Sequence, residues 1–365
     1  MKTVLSVVGA RPNYMKVAPV HKAFELYSDR IQHAIVHTGQ HYSAAMSDVF
    51  FADLQMPQPI EFFEASSGTH AEQTGKIMVR FEQVCLERKP DLVLVAGDVN
   101  STIACALTAA KCGIPVGHIE AGLRSFDREM PEEINRVATD SISTYAFVTE
   151  RSGLANLSRE GFPVERTFFV GNTMIDSLHF ALPTARSAKQ SASMGLAPRN
   201  YAVVTLHRPS NVDDPAQLRR LLEVLVSLSR RRTVVMPLHP RTRKNLREFG
   251  LDSIISGAHD FRLIDPLGYI RFLSLLLDAD FVLTDSGGIQ EETTALDIPC
   301  LTLRTTTERP VTCELGSNQL IRPEPDPLRE ALENLLEKPR KKATMPPLWD
   351  GQAAHRVVDA LISVV

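Results

Sequence analysis

The stretch Asp280-Phe-Val-Leu-Thr-Asp-Ser-Gly-Gly-Ile-Gln-Glu-Glu292 shows the local unit from which the chain is built. Its first five residues form a short apolar run that predicts a buried strand. Ser286, Gly287 and Gly288 then predict a turn, and the residues after them predict a helix. Because bare N–H groups at a helix N-terminus attract anions, this turn predicts a phosphate cradle without a P-loop lysine. The alternative is a glycine-rich turn in which Ser286 only caps the helix.

The same unit recurs along the whole 365-residue chain. Apolar, β-branched runs predict strands at 3–9, 31–37, 91–96, 115–119, 145–149, 167–170, 201–206, 232–237, 261–264, 280–284 and 299–303. Helical periodicity predicts helices that include 14–27, 70–88, 100–112, 132–143, 215–230, 268–278 and 328–338. Strands that are apolar throughout and separated by helices are typical of parallel sheets covered on both faces. We therefore predict an α/β protein with doubly wound sheets.

One interruption of this alternation predicts a domain boundary. A Ser-, Ala- and Lys-rich stretch runs from Pro183 to Arg199 before a new strand begins. We predict an N-terminal Rossmann-like domain at 1–180 and a C-terminal one at 198–350, in line with about 100–200 residues per domain. The helical pattern in 351–365 has no strand partner and is predicted to pack back on the N-terminal domain.

The composition excludes two classes of protein. Forty Lys and Arg residues against 43 Asp and Glu residues leave a net charge of −3, which excludes a broadly basic nucleic-acid surface. No apolar run approaches the roughly 20 residues of a membrane span, and residues 3–10 predict a first strand rather than a signal peptide. The five cysteines are odd in number and form no C-x-x-C motif, so we predict small buried thiols in a reducing cytoplasm.

Cations follow the first predicted strand, at the sheet edge where parallel α/β proteins bind ligands. The strand runs into Gly9-Ala-Arg-Pro-Asn-Tyr-Met-Lys16. Arg11 in the loop and Lys16 near the start of the helix predict an anion site. The alternative is a plain strand–turn–helix connection with solvated cations.

Carboxylates follow two further strands of the first half. Asp98 and Glu120 are predicted to lie close together, and crowding raises the pKa of at least one carboxyl group, which suits acid–base work. The alternatives are that Asp98 caps the next helix and that Glu120 pairs with Arg124. Glu132 and Arg136 lie four residues apart and share a helix face. The alternative is that Glu132, an acid in the first turn, only interacts favourably with the helix dipole.

The second half predicts a nucleotide site. His207 follows its first strand, and Glu292 lies just over one turn into the helix after the glycine-rich turn, placed to reach ribose hydroxyls. No G-x-G-x-x-G follows the first strand of the chain, so no dinucleotide cofactor is predicted. His37 and His41 have a metal-like spacing but lie at a strand end and in a loop, so no metal site is predicted. Acid–base residues in one domain and a nucleotide in the other fit a nucleotide-sugar enzyme working in an interdomain cleft.

Motifs along essentially the whole chain resemble those of the non-hydrolysing UDP-N-acetylglucosamine 2-epimerases. They are GARPNYMK (9–16), GDVNST (97–102), HIEAGLRSFDREMPEEINR (118–136), VGNTMID (170–176), TLHRPSN (205–211), LTDSGGIQEE (283–292) and TERP (307–310). The resemblance implies two Rossmann-like domains in the arrangement of the GT-B glycosyltransferases, a homodimer, and no metal or nicotinamide cofactor. It implies interconversion of UDP-GlcNAc and UDP-ManNAc by elimination of UDP to 2-acetamidoglucal, followed by re-addition.

The resemblance also assigns residues, motif by motif. The acid–base carboxylates would be Asp98, Glu120 and Glu132, with the order of proton removal and return left open. The groups that position or polarise the sugar and diphosphate would be Lys16, Arg136 and His207. Glu292 would bind the ribose and Phe272 would lie beside the uracil, within a UDP-binding set of Arg11, Phe272, Ser286, Gly287, Gly288, Glu292 and Arg309.

Three alternatives remain open at this point. A 2-epimerase for a modified sugar, such as UDP-2,3-diacetamido-glucuronate, would carry similar motifs. A glycosyltransferase on the same fold would need an acceptor site, and the set of three carboxylates argues against it. A catalytically silent UDP-sugar sensor would not need the intact set of Asp98, Glu120, Glu132 and His207.

Overall fold

A computed structural model describes residues 1–40, 51–65, 68–258, 260–338 and 342–364, with the side chain of Arg11 also outside the described part. His41, the second histidine of the metal-like pair with His37, lies outside these ranges. The contacts divide the chain into two units. The first unit comprises Met1–Ala181 and Pro347–Val365, and the second comprises Leu182–Pro346.

In the described part of the first unit, seven strands form one parallel sheet in the order β3-β2-β1-β4-β5-β6-β7. They are Lys2–Val8 (β1), Ile31–His37 (β2), Glu61–Phe62 (β3), Leu92–Ala96 (β4), Val116–Ala121 (β5), Tyr145–Val148 (β6) and Thr167–Phe169 (β7). The helices between them are Arg11–Glu25 (α1), His70–Arg88 (α2), Asn100–Lys111 (α3), Pro131–Ile142 (α4) and Arg151–Arg159 (α5). Helix Thr173–Ala188 (α6) follows β7 and continues into the second unit.

The described part of the second unit contains a parallel six-stranded sheet in the order β10-β9-β8-β11-β12-β13. Its strands are Tyr201–Thr205 (β8), Thr233–Pro237 (β9), Phe261–Ile264 (β10), Phe281–Thr284 (β11), Cys300–Leu303 (β12) and Asn318–Ile321 (β13). The helices are Gln190–Ser193 (α7), Pro209–Val212 (α8), Pro215–Ser229 (α9), Pro240–Glu248 (α10), Asp252–Ser256 (α11), Tyr269–Leu277 (α12), Gly287–Ala295 (α13), Val311–Glu314 (α14) and Pro325–Glu337 (α15). Counted from its own first strand, this order is the 3-2-1-4-5-6 order of a doubly wound Rossmann sheet.

The predicted α/β class is therefore confirmed, and burial explains it. Every residue of β4 is buried, as the apolar run Leu-Val-Leu-Val-Ala requires when helices cover both faces of a parallel sheet. The same holds for the first four residues of β8. Apolar residues on the two faces of the second sheet belong to separate clusters, one around Val204 and Leu225 and one around Val203 and Leu275.

The last helix, Ala353–Val364 (α16), packs within the first unit. It contacts α1, and the Asp176 carboxylate accepts the backbone N–H groups of Ala353 at 3.1 Å and Ala354 at 2.7 Å. Just before it, the indole N–H of Trp349 donates to the carbonyl oxygen of Thr149 at 3.1 Å. These contacts bind the chain end to the first sheet. None of the helices in the described ranges is long and apolar enough to cross a bilayer.

Candidate active site

The loops after β1 and β4 meet where the strand order of the first sheet reverses. The side-chain oxygen of Asn13 accepts the N–H groups of Gly9 at 3.2 Å and Ala10 at 3.0 Å. Its amide nitrogen donates to the carbonyl oxygen of Ala96, at the end of β4, at 2.7 Å. A Cβ on Gly9 would lie 2.1 Å from the hydroxyl oxygen of Ser101, so glycine alone fits there. These contacts fix the start of α1, the helix that carries Lys16.

Lys16 and Glu120 form a buried ion pair at this edge of the sheet, with side chains 5% and 3% exposed. Gly97 lies against the pair, because an added Cβ would be 2.7 Å from Lys16 Nζ and 3.3 Å from Glu120 Oε2. The φ of Gly97 is also +68°, which a side chain would strain. Two predicted site residues are thus in contact, and the alternative pairing of Glu120 with Arg124 is wrong. Arg124 contacts Asp140 and Glu160 instead.

The backbone at Glu120 is strained. Its φ is +76°, and the pairing of β5 with β6 shifts register between Ile119 and Ala121. A residue other than glycine in this region costs of order 1–3 kcal/mol, and such residues cluster at functional sites. β-Bulges likewise re-aim side chains next to active sites. The strain therefore serves to present the Glu120 carboxylate to Lys16.

Arg136 joins two carboxylates from different elements. Its guanidinium pairs with Asp98, directly after β4, and with Glu133 one turn earlier on α4. Asp98 does not cap the following helix, because the N-cap of α3 is Val99, so that alternative is also wrong. The side chain of Asp98 is 19% exposed and that of Arg136 is 2% exposed. Buried Arg136 thus holds the carboxylate of Asp98, which remains partly exposed.

Glu132 and Glu133 stand side by side but have different surroundings. Glu133 is 2% exposed and accepts hydrogen bonds from Ser125 N–H and Oγ–H, both at 2.9 Å, and from Phe126 N–H at 3.0 Å. It therefore anchors the loop before α4. Glu132 is half-buried and makes no hydrogen bond or ion pair with the rest of the described chain. Its carboxylate remains available for an added molecule.

His207 in the second unit is oriented by a buried carboxylate. Asp285, after β11, lies 2.9 Å from His207 Nδ1 and accepts the N–H groups of His207 and Arg208, each at 2.9 Å. Asn211 adds a further bond at 3.1 Å. Burial alone would raise the pKa of Asp285, but these hydrogen bonds and the His207 charge lower it. The loops after β8 and β11 therefore present a partly exposed imidazole at the switch point of the second sheet.

The glycine-rich turn contacts a charged loop. A Cβ on Gly287 would lie 2.8 Å both from Arg309 Nη1 and from Glu308 Oε1. Arg309 also pairs with Glu291 at 2.8 Å. Ser286 occupies the N-cap position of α13, as the alternative interpretation expects, but its side chain makes no capping hydrogen bond. The start of α13 is half-buried at Ser286, Gly287 and Gly288, where its N–H groups can meet an anion.

Two members of the predicted UDP set lie deeper than the turn. Phe272 on α12 is 8% exposed and belongs to the apolar cluster that contains Tyr201 and Leu275. Glu292 is 4% exposed, on the same helix turn as Glu291. Their predicted contacts with uracil and ribose stay predictions, as does that of Arg11.

Sequence reasoning missed the residues that hold the site together. These are carboxylates and one histidine buried behind the predicted residues: His118, Glu133, Asp140, Asp285, Glu291 and Glu308. Several of them stand inside quoted motifs, but no local pattern separates a supporting carboxylate from an exposed one. The signal that could have found Asp285 is its position immediately after an apolar strand.

A cavity of about 540 Å³ lies in the first unit, next to the supporting residues Glu133 and Asp140. Arg124, Glu133 and Asp140 line it, together with Phe126 and Phe162. None of the predicted site residues lines it. The candidate site of the first unit is therefore the charged edge at β1, β4 and β5 rather than this cavity.

The arrangement can move protons and hold an anion. Carboxylates in contact with Lys16 and Arg136 stand at one sheet edge, and a His–Asp pair with an open helix N-terminus stands at the equivalent edge of the other sheet. Two Rossmann-like sheets with such edges define the class of nucleotide-sugar enzymes with GT-B-like architecture.

Comparison with known proteins narrows this class. The sequence profile of the UDP-N-acetylglucosamine 2-epimerase family matches residues 25–362. The UDP-N-acetylglucosamine 2-epimerase of Methanocaldococcus jannaschii is 41% identical over 97% of both chains. The UDP-2,3-diacetamido-2,3-dideoxy-D-glucuronate 2-epimerase of Pseudomonas aeruginosa is also 41% identical, over 92% of both. The crystal structure of the M. jannaschii enzyme with UDP-GlcNAc and UDP superposes with a TM-score of 0.91 at 40% identity and 100% coverage of both chains. The chain belongs to the UDP-N-acetylglucosamine 2-epimerase family.

Proposed function

We propose that this enzyme interconverts UDP-GlcNAc and UDP-ManNAc by inverting C2 of the sugar. The observation that carries the proposal is the edge of the first sheet, where Lys16 contacts Glu120, Arg136 contacts Asp98, and Glu132 lies open on the same helix as Arg136. A reaction that removes a proton from one face of C2 and returns one to the other face is served by more than one acid–base group, and the release of a diphosphate is favoured by cations.

The proposed chemistry is an elimination followed by re-addition. One carboxylate takes the C2 proton, the C2–H electron pair forms the C1=C2 bond, and the C1–O bond breaks with release of UDP. The product, 2-acetamidoglucal, then takes UDP back at C1 while a carboxylate on the other face protonates C2. The sequence of steps is redox-neutral, so no nicotinamide is consumed.

We assign the acid–base steps to Asp98, Glu120 and Glu132. Lys16 and Arg136 offset the charge that develops as the proton moves, because each already contacts one of these carboxylates. His207 acts on the departing diphosphate and is kept in orientation by Asp285.

We assign UDP binding to residues of the second unit and to Arg11, the first residue of α1. The N–H groups at the start of α13 and the guanidinium of Arg309 would hold phosphate oxygens. Glu292 would accept hydrogen bonds from the ribose hydroxyls, and Phe272 would lie beside the base. The proposed UDP set is Arg11, Phe272, Ser286, Gly287, Gly288, Glu292 and Arg309.

The P. aeruginosa relative supports a second candidate substrate. It matches this chain at the same 41% identity as the M. jannaschii enzyme, over a slightly smaller share of the chain. The alternative function is therefore 2-epimerisation of UDP-2,3-diacetamido-2,3-dideoxy-glucuronate by the same steps.

Proton NMR in D₂O separates these functions. The protein is incubated with each UDP-sugar in separate samples, with and without a chelator and without added nicotinamide. We expect the 2-epimer of UDP-GlcNAc to appear with deuterium at C2. If UDP-2,3-diacetamido-2,3-dideoxy-glucuronate is epimerised and UDP-GlcNAc is not, the second candidate function is established. Free ManNAc with UDP would indicate a hydrolysing enzyme, and absence of C2 exchange with either sugar would overturn the proposal.

We also propose that the enzyme is a homodimer. Val79 and Leu86 are 62% and 63% exposed and lie two turns apart on one face of α2, which supports an interface there. Light scattering after size exclusion should give twice the chain mass. Val79→Glu should lower that mass, whereas Val164→Glu, at an 84% exposed residue in the short 3-10 helix Val164–Arg166, should not. A wild-type protein of single-chain mass would contradict the proposal.

We propose a reducing, cytoplasmic setting for the enzyme. All five cysteines are free thiols, and burial raises the pKa of Cys85 to about 12 and that of Cys300 to about 11. Thiols held in the protonated form are inert and fit a compartment that keeps them reduced. Cell fractionation should recover the enzyme with cytoplasmic markers, and recovery with exported proteins would contradict this.

A further inference from the structure

The three proposed acid–base carboxylates come from three separate elements of the first unit. Asp98 follows β4, Glu120 lies in β5, and Glu132 lies in the first turn of α4. Because these elements are separate in sequence, the relative positions of the three carboxylates depend on tertiary contacts between the elements. A buried ionic contact between His118 on β5 and Asp140 on α4 lies where all three elements meet.

His118 connects β5 to the end of β4. Its Nε2 lies 2.8 Å from the carbonyl oxygen of Gly97, the residue before Asp98, and its Nδ1 lies 2.6 Å from Asp140 Oδ1. Burial alone would raise the pKa of Asp140, but His118 and Arg124 lower it, so this carboxylate is ionised. A carbonyl oxygen and a carboxylate only accept hydrogen bonds. Both ring nitrogens of His118 thus face oxygen acceptors, so the ring joins the end of β4 to α4.

Asp140 holds both sides of the strained residue in β5. Its Oδ1 faces His118, two residues before Glu120, and its Oδ2 accepts the N–H of Gly122, two residues after it, at 3.0 Å. Arg124 adds an ion pair to Oδ2 at 2.7 Å. One carboxylate thus spans the register shift at which Glu120 takes its positive φ.

The same contact fixes α4 against β4. Arg136 on α4 pairs with Asp98, and Asp140, one turn further along the helix, reaches Gly97 through His118. Two attachment points set both the distance and the rotation of a helix relative to a strand. Glu132, one turn before Arg136, takes its position from them.

We propose that His118 and Asp140 are positioning residues that set the mutual placement of Asp98, Glu120 and Glu132. The proposal rests on the proposed epimerase function, because it takes its meaning from those three carboxylates. Both side chains are buried, at 0% exposure for His118 and 1% for Asp140, so the proposal gives the pair no direct contact with substrate. Its loss should therefore slow proton transfer while leaving nucleotide binding in the second unit intact.

Asp140→Asn is the first test. An asparagine amide keeps the shape of the side chain but has one acceptor oxygen, whereas the carboxylate uses both of its oxygens. Either His118 or Gly122 therefore loses its partner. A displacement of about 1 Å in a catalytic group can cost about 100-fold in rate. We expect kcat and C2 deuterium incorporation to fall about 100-fold, with KM and the Kd for UDP within about threefold of wild type.

A second pair of variants tests the histidine. His118→Gln retains an amide donor that can reach Gly97 O, whereas His118→Ala retains none. We expect His118→Gln to be at least about 10-fold faster than His118→Ala, because one outer hydrogen bond of this kind is typically worth 10–100-fold. A purely structural role would give both variants the same kcat per folded molecule.

Asp280→Asn is the matched control. Asp280 is a buried carboxylate that pairs with Arg232 at 3.0 Å at the start of β11, away from the carboxyl edge of its sheet. This variant should lose stability without losing kcat. Hydrogen exchange should rise at residues 120–124 in Asp140→Asn and remain unchanged there in Asp280→Asn.

The outcomes separate this proposal from the proposed function. If wild-type protein epimerises neither UDP-sugar, the function is wrong, and exchange at residues 120–124 still decides whether Asp140 holds the strand. If wild-type protein is active and Asp140→Asn matches Asp280→Asn in kcat and in exchange, the positioning role is overturned.

Discussion

At the scale of single residues, Glu132 and Glu133 offer a matched comparison. Glu132→Gln should lower kcat about 100- to 10,000-fold, the usual contribution of a general acid or base, and leave the melting temperature unchanged because the carboxylate is half-buried without a bond to the described residues. Glu133→Gln should lower the free energy of unfolding by about 3 kcal/mol, because it leaves Arg136 with one buried partner fewer. Steady-state kinetics and urea unfolding measure the two effects. The reverse pattern would move the acid–base role to Glu133.

Asp285 makes a second residue-scale prediction. Asp285→Asn removes the charge that orients His207 and one of the acceptors for the backbone of residues 207 and 208. We expect kcat/KM to fall at least about 10-fold, since aspartate-to-asparagine changes beside a catalytic histidine disturb its tautomer. Asp213→Asn alters an exposed pair with Arg241 and a hydrogen bond that Asn245 donates at 3.1 Å in the same unit, and should change kcat/KM less than about twofold. Equal losses in both variants would count against an orienting role.

At the scale of elements, sequence patterns located strands with apolar cores and failed where a strand lacks one. Predicted strand 31–37 coincides with β2, and predicted helix 70–88 coincides with α2. Two strands at sheet edges were missed: β3 has two residues, and β13 reads Asn-Gln-Leu-Ile with only its ends buried. Edge strands are covered on fewer sides, so their sequences carry less of the apolar signal.

The site follows the same division. Residues such as Asp98 and Glu120 could be predicted because they follow apolar strands, and parallel sheets collect strand ends at one edge. The contact of His118 with Asp140 could not, because it joins a strand to the far end of a helix 22 residues later. The positive φ of Glu120 is likewise a result of tertiary contacts on both of its sides.

The last helix gives the element-scale prediction. Leu361 on α16 is fully buried, so Leu361→Ala should lower the free energy of unfolding of the first unit by about 2–5 kcal/mol. The single tryptophan, Trp349, is 1% exposed next to this helix, so its fluorescence reports the transition. The urea midpoint should fall in Leu361→Ala and remain within error in Val364→Ala, where the side chain is 38% exposed. An unchanged midpoint for Leu361→Ala would mean that α16 is not part of the cooperative unit.

At the scale of the whole molecule, three groups of the first unit with strongly shifted pKa values contribute to how stability depends on pH. Burial lowers the pKa of His33 to about 3 and that of His37 to about 4. Burial raises the pKa of Asp176 to about 6. Below pH 6.5 the unfolded chain takes up protons at both histidines that the folded chain does not, which lowers stability as the pH falls. Between about pH 6 and pH 4 the folded chain protonates Asp176 before the unfolded chain does, which raises stability as the pH falls.

Among these three groups the histidines outweigh the aspartate, because two act in one direction and one in the other. Burial also lowers the pKa of His21, which adds to the effect of His33 and His37. Between pH 6 and pH 5 the unfolded state binds about one proton more than the folded state, so the free energy of unfolding should fall by about 1.4 kcal/mol per pH unit. His33→Gln should make this slope shallower, and Asp176→Asn should make it steeper. Urea titrations of Trp349 fluorescence at pH 7, 6 and 5 measure the slopes. A wild-type protein that gains stability over this range would show that one of the histidines is protonated in the folded state.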